Sequence, residues 1–273
     1  MFQQSRVRTR GSAAVNILEL IYHSIVQNVR KSHSNALIGL FMSMLQAVMF
    51  VAVFYLMFSI LGLRGAAIRG DFIIYIMSGI FLFLTHTKTM GAVVGSEGPA
   101  SAMMKHAPMN TLVAIAGAAL SVLYLQILTA FVILLVYHAV IEPVHIDRPI
   151  ATFGMFLSAW FSGAAVGILF LSVKPWAPGP VSILASIYSR ANMIASGKMF
   201  VANSLPPFML AMFDWNPLFH AIDQARGFAF INYTPRNSVI DYPIYLSLVL
   251  IMIGFMLEFY TRKHASESWG ARA

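Results

Sequence analysis

The sequence predicts an all-α integral membrane protein with six transmembrane helices, an N-terminal interfacial helix, and outward-facing re-entrant helices before the last span. Apolar residues make up 59% of the 273 residues and charged residues only 10%, whereas a soluble domain carries about 25% charged residues. Several apolar stretches are long enough to cross a bilayer as helices. The apolar pieces of region 196–230 are too short and too polar for that, and such pieces survive at membrane depth only inside protein or beside a cavity.

Residues 1–36 are predicted to form a cytoplasmic leader and an amphipathic interfacial helix. Polar residues interrupt the stretch that directly follows the basic leader, so it lacks the unbroken apolar core of a signal peptide. Apolar and polar residues separate onto two faces at helical spacing. The apolar face comprises Val15, Leu18, Ile21, Tyr22, Ile25 and Val29, and the polar face comprises Asn16, Glu19, His23, Gln27 and Arg30. This arrangement is typical of a helix lying in the membrane interface.

Residues 37–260 form the predicted six-span domain, and residues 261–273 form a cytoplasmic tail. The spans are Leu37–Leu63, Phe72–Val94, Thr111–Val140, Ile150–Val173, Val181–Ala195 and Tyr242–Tyr260. The re-entrant region 196–230 extends the fifth span before the chain reaches the sixth.

The distribution of lysine and arginine places both termini in the cytoplasm, because cytoplasmic loops carry the excess of positive charge. With that topology, ten basic residues lie inside and five outside. Those inside are Arg6, Arg8, Arg10, Arg30, Lys31, Lys105, Lys174, Arg262, Lys263 and Arg272; those outside are Arg64, Arg69, Arg148, Arg226 and Arg236. The net charge of +8 therefore reflects segment ends that set orientation, and it does not predict nucleic-acid binding.

The loop of residues 97–110 lies on the cytoplasmic side in this topology. Pro99 and Pro108 bracket one or two helical turns that contain Met103, Met104, Lys105 and His106. A short exposed helix with a methionine pair fits an apolar groove on a partner, since methionine packs adaptably. The alternative is a plain connecting turn, and the residues alone leave both open.

Polar groups inside apolar spans are candidates for function because they are expensive in lipid. We interpret Lys88 as reaching the inner interface and His86 as hydrogen-bonding across helices. Arg190 faces either a pore or a partner. Asp214, Asp223 and Arg226 are expected near the outer face, paired with each other. Candidate conduit-lining residues are Trp160, Phe161, Tyr188, Arg190, Phe200 and Trp215.

Close helix packing is predicted where small residues recur four apart. Gly163 with Gly167, and Gly117 with Ser121, form such pairs, which let helices approach closely. We expect them to pack helices within one chain rather than to build a dimer.

No motif for catalysis is present in the sequence. Gly197-Lys198 is followed by Met199 and lacks the upstream glycine of a phosphate-binding loop, so the chain is not expected to hydrolyse ATP. The eight histidines show no metal-binding spacing, and no Gly-x-Ser-x-Gly motif occurs. The chain has no cysteine, which excludes thiol chemistry and cysteine metal sites. We predict no catalytic residue, no metal site and no cofactor on this chain.

The order of these parts resembles the membrane subunits of type-two ABC exporters, namely those that export capsular polysaccharide, O-antigen and related polyol-phosphate polymers. The matching segments are VRKSHSNALIGL, FSILGLRG with YIMSGIFLFL, GPASAMMKHAPMNTLVAIA, SGKMFVANSLPP with WNPLFHAIDQARGF, and GFMLEFYTRKHA. Asn216-Pro217-Leu218 and Arg226 resemble the family's re-entrant motif most closely. The resemblance covers nearly the whole chain.

The resemblance implies a homodimer in the bacterial inner membrane with a separate ABC ATP-binding subunit docked beneath it. ATP and magnesium would bind that partner, and force would pass through Arg30 and Met103–His106. A lipid-linked or lipid-anchored polysaccharide would leave through a conduit at the dimer interface, with periplasmic and outer-membrane export proteins as further candidate partners.

Three other interpretations remain open from the residues. The first is an exporter of the same fold for a drug, a lipid or haem. The second is an integral membrane lipid or polyprenyl transferase, which would need clustered acids, whereas the ten acids here are scattered. A channel is a third option, for which Arg190 alone would have to supply the filter.

Overall fold

The computed structural model describes residues 10–32, 36–62, 71–98 and 110–264. Within these residues the chain is helical, without a β-strand. The helices are α1 (Arg10–Ser32), α2 (Ala36–Ile60), α3 (Phe72–Val94), α4 (Thr111–Val140), α5 (Pro149–Val173), α6 (Pro178–Ala195), α7 (Pro207–Phe213), α8 (Pro217–Ala229) and α9 (Tyr242–His264), with a short 3-10 turn at Ala202–Ser204.

Five of the described helices are long and apolar enough to cross a membrane. They are α2, α3, α4, α5 and α9, so the fold is compatible with a multi-pass membrane protein. The fifth predicted span, Val181–Ala195, corresponds to α6, which has 18 residues and does not belong to this group. Polar residues lower the mean hydropathy of α6, since Ser182, Ser186, Ser189 and Arg190 all lie in its middle.

Helices α3 and α5 form the centre of the bundle, and α9 packs on the other side of α5. Gly163 and Gly167 of α5 face α3, because a Cβ at Gly163 would collide with the backbone of His86 and one at Gly167 would lie 2.8 Å from Val93 Cβ. Gly254 of α9 meets Ile168 of α5 in the same way, at 2.7 Å. These glycines therefore pack helices within one chain, as the spacing predicts.

Polar contacts fix both ends of α3 to neighbouring helices. Asp71 caps the first turn by accepting a hydrogen bond from Ile73 N at 2.8 Å, and its second carboxylate oxygen accepts from the Tyr137 hydroxyl of α4. At the other end, Lys174 Nζ donates to the carbonyl of Val94 at 2.9 Å. Because α3 begins where α4 ends and ends where α5 ends, it runs antiparallel to α4 and parallel to α5.

Helix α1 packs along α4 through its small polar side. Ser24 of α1 lies against Gly117 of α4, where any Cβ would collide with it. The predicted apolar face is divided, because Ile21, Ile25 and Val29 are half-buried. Val15, Leu18 and Tyr22 remain exposed on the bundle surface.

Candidate functional site

Helix α6 ends deep beside α3, and residues 196–241 then form a compact segment, named here the α7–α8 segment. Its first turn packs against Gly79, where a Cβ would lie 2.9 Å from both Cα and the carbonyl oxygen of Lys198. Gly79 is seven residues along α3 from Phe72, or roughly 10 Å at 1.5 Å per residue. The chain therefore reverses direction well inside the length of α3.

Arg226 holds this reversal together. Its side chain is 1% exposed. Nη1 donates to the carbonyls of Gly197 and Phe200, at 2.8 and 2.6 Å, and Nη2 donates to the carbonyl of Lys198 at 2.7 Å. The guanidinium also lies over the Tyr75 ring of α3, 4.2 Å from its centroid. One side chain on α8 thereby donates to three backbone carbonyls that accept no hydrogen bond within a helix.

Asn216 and Pro217 set the start of α8 against the end of α6. Asn216 Oδ1 caps α8 by accepting from Leu218 N at 3.0 Å, while Nδ2 donates to Asn192 Oδ1 at 2.8 Å and to the carbonyl of Ala195 at 3.0 Å. Proline at the first helical position costs α8 nothing, because that N–H would have no helical partner.

The expected pairing of Asp223 and Asp214 with Arg226 is wrong. Asp223 instead accepts hydrogen bonds from the hydroxyls of Tyr233 and Ser238, the latter at 2.6 Å. Burial, together with the Asp223 carboxylate, raises the pKa of Tyr233, which keeps that hydroxyl a donor. The carbonyl of Asp214 accepts from His220 Nε2. Asp223 therefore holds the chain after α8, and Arg226 holds the chain before it.

Helix α8 is surrounded by protein. Every residue from Pro217 to Arg226 is buried, and the helix packs against α5, α3 and α9. Its far end is tied to the α4–α5 connection, because the N–H groups of Asp147 and Arg148 donate to the carbonyls of Ala229 and Phe228. Such burial meets the physical condition for short helices at membrane depth, where lipid cannot satisfy polar backbone.

The six predicted conduit residues do not share one cavity. Trp160 donates from Nε1 to the carbonyl of Ala119 at 2.8 Å and so lies between α5 and α4. Phe200 stacks on Phe213 within the α7–α8 segment, with ring centroids 5.5 Å apart. Phe161 is half-buried, and Trp215 is 60% exposed. These four residues do not line the three cavities of the described chain that are discussed below.

Tyr188 joins α6 to the centre of the bundle through His86. His86 Nε2 lies 3.1 Å from the Tyr188 hydroxyl, and Nδ1 lies 2.9 Å from Ser162 Oγ of α5. The prediction that His86 bonds across helices is confirmed. This contact links α6 to α3, as Asn192 and Ala195 link it to the start of α8, and Tyr188 also packs edge-on against Phe170.

Lys88 does not reach the inner interface, so that interpretation is wrong. Its Nζ donates to Ser43 Oγ of α2 at 2.9 Å, and Gln126 Nε2 of α4 donates to the same oxygen at 3.0 Å. A polar node thus connects three helices inside the bundle. The Lys88 side chain bonds to the Ser43 hydroxyl and therefore does not extend toward the end of α3.

Arg190 lines two cavities beside α6. One is a groove along α6 itself, formed with Ser182, Ser186 and neighbouring isoleucines. The other has a volume of about 270 Å³, opens between α2, α3 and α6, and also contains Lys88. We name it the α2–α3–α6 cleft; its lining comprises Gln46, Phe50, Phe83, Leu84, Thr87, Lys88, Ser189, Arg190 and Met193. A third cavity, between α3, α4 and α5, is almost entirely apolar.

Lys198 is a buried lysine whose position the sequence did not predict. It is 3% exposed, its Nζ makes no hydrogen bond, and it lies 3.4 Å from the ring centroid of Phe83. Phe50 and Phe54 complete the aromatic surroundings at 5.3 and 5.1 Å. The available signal was a lysine in an otherwise apolar stretch, which we considered only as part of a failed phosphate loop.

The predicted contacts for an ATP-binding subunit fall mostly outside the described residues. Met103, Met104, Lys105 and His106 lie in the stretch 99–109, of which the structure describes nothing. Arg30 lies near the end of α1 and is exposed.

In comparisons with known proteins, no protein-family model matches the chain, and no curated protein matches it. Functional assignment therefore depends on the residues and the geometry given above.

Proposed function

We propose that the chain is the transmembrane subunit of an ATP-driven ABC exporter, which moves a lipid-linked or lipid-anchored polysaccharide across a bacterial inner membrane. It works as a homodimer with a separate ATP-binding subunit that supplies ATP and magnesium. Both termini are cytoplasmic, α6 is the fifth of six spans, and α7 and α8 are re-entrant from the outer side.

The observation that carries this proposal is the buried α8, placed between α6 and α9 and anchored by Asn216 and Arg226. A solvent-exposed connection between two membrane helices would not bury ten consecutive residues, as α8 does from Pro217 to Arg226. The segment instead forms a plug of protein at the outer end of the bundle, with its backbone satisfied by Arg226. Such a plug is the structural requirement for a pathway that stays closed to ions between transport events.

Helix α1 supplies the second line of support. Its exposed Val15, Leu18 and Tyr22 would lie in lipid, while its opposite side packs on α4. A helix held along the bundle in this way can receive force at Arg30 and pass it to α4. An ATP-binding subunit beneath the membrane would deliver that force.

An enzyme reading is less well supported by the same observations. A lipid or polyprenyl transferase needs acids grouped around a metal or a nucleophile. Among the residues that the structure describes, α2 to α6 contain no aspartate or glutamate at all.

The experiment is to determine whether a gene adjacent to this one encodes an ABC ATP-binding subunit, to co-express the chain with that subunit, and to measure phosphate release. We expect the purified chain alone to be silent and the co-purified complex to hydrolyse ATP. A Walker-lysine variant of the ATP-binding subunit is the control. Turnover retained by the chain alone, or an absence of any complex, would contradict the proposal. Topology reporters at Ala273 and between Asp214 and Asp241 should report opposite compartments.

A further inference from the structure

The α2–α3–α6 cleft contains two cations at membrane depth. Lys88 and Arg190 both line it, together with the polar side chains of Gln46, Thr87 and Ser189. Lys88 lies six residues inside the end of α3, or roughly 9 Å at 1.5 Å per residue. Two positive charges inside the spanning bundle are expensive unless an anion accompanies them.

The described part of the chain does not supply that anion. Neither Lys88 nor Arg190 forms an ion pair there, and α2, α3, α4, α5 and α6 contain no acid. Glu258 of α9 is the one acid within the described spanning helices. It is buried, and no residue of α9 lines the cleft.

The donors in the cleft are available for a ligand. Lys88 uses one of its three N–H groups on Ser43, which leaves two. Arg190 is exposed and donates no hydrogen bond to the described residues. A guanidinium presents a planar fork that matches the two oxygens of a phosphate or carboxylate.

Lys198 lies beside the same cavity, behind two of the rings that line it. Its side chain contacts the rings of Phe50 and Phe83, and both rings also line the cleft. Lys198 Nζ makes no hydrogen bond and does not itself line the cleft, so the charge that favours an anion at this position comes from Lys88 and Arg190.

The size of the cleft restricts what can enter. Pockets for drug-sized molecules measure about 300–1,000 Å³, and this one measures about 270 Å³. It has room for a single charged group and not for a length of sugar chain. Its apolar members, Leu84, Met193 and the two phenylalanines, suit an attached hydrocarbon.

We infer that the α2–α3–α6 cleft binds an oxyanion, phosphate or carboxylate, of an amphipathic substrate, with Arg190 and Lys88 as the direct donors. This inference rests on the proposed export function and identifies the charged group that the exporter recognises. Because Lys88 lies six residues, or roughly 9 Å, inside the end of α3, the site is deeper than the headgroup of a resting lipid, which stays at the bilayer surface.

The test is calorimetric titration of the purified chain in nanodiscs of phosphatidylcholine. The probes are farnesyl phosphate, its neutral counterpart farnesol, and inorganic phosphate. We expect farnesyl phosphate to bind and farnesol not to bind. Arg190→Gln and Lys88→Gln should each weaken binding about tenfold or more, as loss of a charged hydrogen bond predicts, and Arg190→Lys should restore part of it. Arg262→Gln, an exposed cation on α9, is the matched control and should not change the affinity.

Two results would overturn the inference: equal affinity of the wild type and Arg190→Gln for farnesyl phosphate, or equal binding of farnesol. If inorganic phosphate binds and farnesyl phosphate does not, with the same dependence on Arg190, the oxyanion site is supported. Its ligand is then a free anion from solution. The assay contains neither ATP nor an ATP-binding subunit. Failure to form an ATPase complex would therefore disprove the proposed function without changing the binding result.

Discussion

Arg226 Nη2 donates a hydrogen bond to the carbonyl of Lys198 at 2.7 Å, across 28 residues of sequence. The contact fixes the backbone of Lys198 against Gly79 of α3 and directs its ammonium among three phenylalanine rings. A single side chain on α8 thus holds the turn that follows α6 and the backbone of a buried lysine. The α7–α8 segment and the α2–α3–α6 cleft are structurally connected through this pair.

Replacing Arg226 with lysine should destabilise the protein strongly. Lysine keeps the charge, but it has no planar fork to reach the carbonyls of Gly197, Lys198 and Phe200 together. Leaving a buried carbonyl without a donor costs about 1–3 kcal/mol. The carbonyl of Gly197 also accepts from Phe200 N at 3.4 Å, so we expect a loss of about 2 kcal/mol or more, from the carbonyls of Lys198 and Phe200. Thermal unfolding in detergent measures it. Arg236→Lys, at an exposed position, is the control; equal melting temperatures for the two variants would show that the three contacts contribute little.

Gly79→Ala tests the reversal from the side of α3. The new methyl group would lie 2.9 Å from the Lys198 backbone, and overpacking of this kind costs about 1–3 kcal/mol. Gly91→Ala on the same helix meets open space and should gain about 0.5–1 kcal/mol from helix propensity. The two variants should therefore shift the melting temperature in opposite directions. A shift of the same sign in both would mean that the chain reversal does not pack closely against Gly79.

His220 should make the α7–α8 segment sensitive to acid. The His220 ring is buried, and its Nε2 contacts the carbonyl of Asp214. Its Nδ1 accepts from Val239 N at 3.0 Å, so Nε2 carries the proton and the ring is neutral. The unfolded chain then binds the extra proton first, and stability falls as the pH drops below about 6.5.

The measurement compares melting temperatures at pH 7.5 and 5.5. We expect the decrease to be larger in the wild type than in His220→Gln, which cannot take up the proton. His145→Gln, at an exposed histidine, should behave as the wild type does. If His220→Gln loses as much stability as the wild type over this range, another group is responsible for the acid sensitivity.

The bounds of the spans were predictable, whereas the polar contacts between them were not. The predicted segments Phe72–Val94 and Thr111–Val140 coincide with α3 and α4. The signals are local, because Asp71 and Asn110 are capping residues placed directly before apolar runs. Which groups accept hydrogen bonds from Lys88 and from Arg226 depends on which helices become neighbours. That information comes from contacts distant in sequence, which a single sequence does not display.

The depth of α6 illustrates the same limit. The sequence shows an apolar stretch that ends at Ala195 and an asparagine-proline pair 21 residues later. It does not show that Asn216 will donate to the carbonyl of Ala195, because that bond requires α7 to fold back. Lys198 was missed for the same reason, since only the reversal brings it among phenylalanines of α2 and α3.

The remaining prediction concerns coupling to an ATP-binding subunit through the loop of residues 97–110. Met104→Asp should release that subunit and abolish export while leaving the chain folded and inserted, because a charge replaces an apolar anchor worth roughly 1–3 kcal/mol. Met104→Leu keeps the apolar area and should retain the partner. The measurement is co-purification of the two subunits, together with the membrane level of this chain. If Met104→Asp keeps its partner and still exports, the loop is a connector only, and force from ATP hydrolysis must enter through Arg30 and α1.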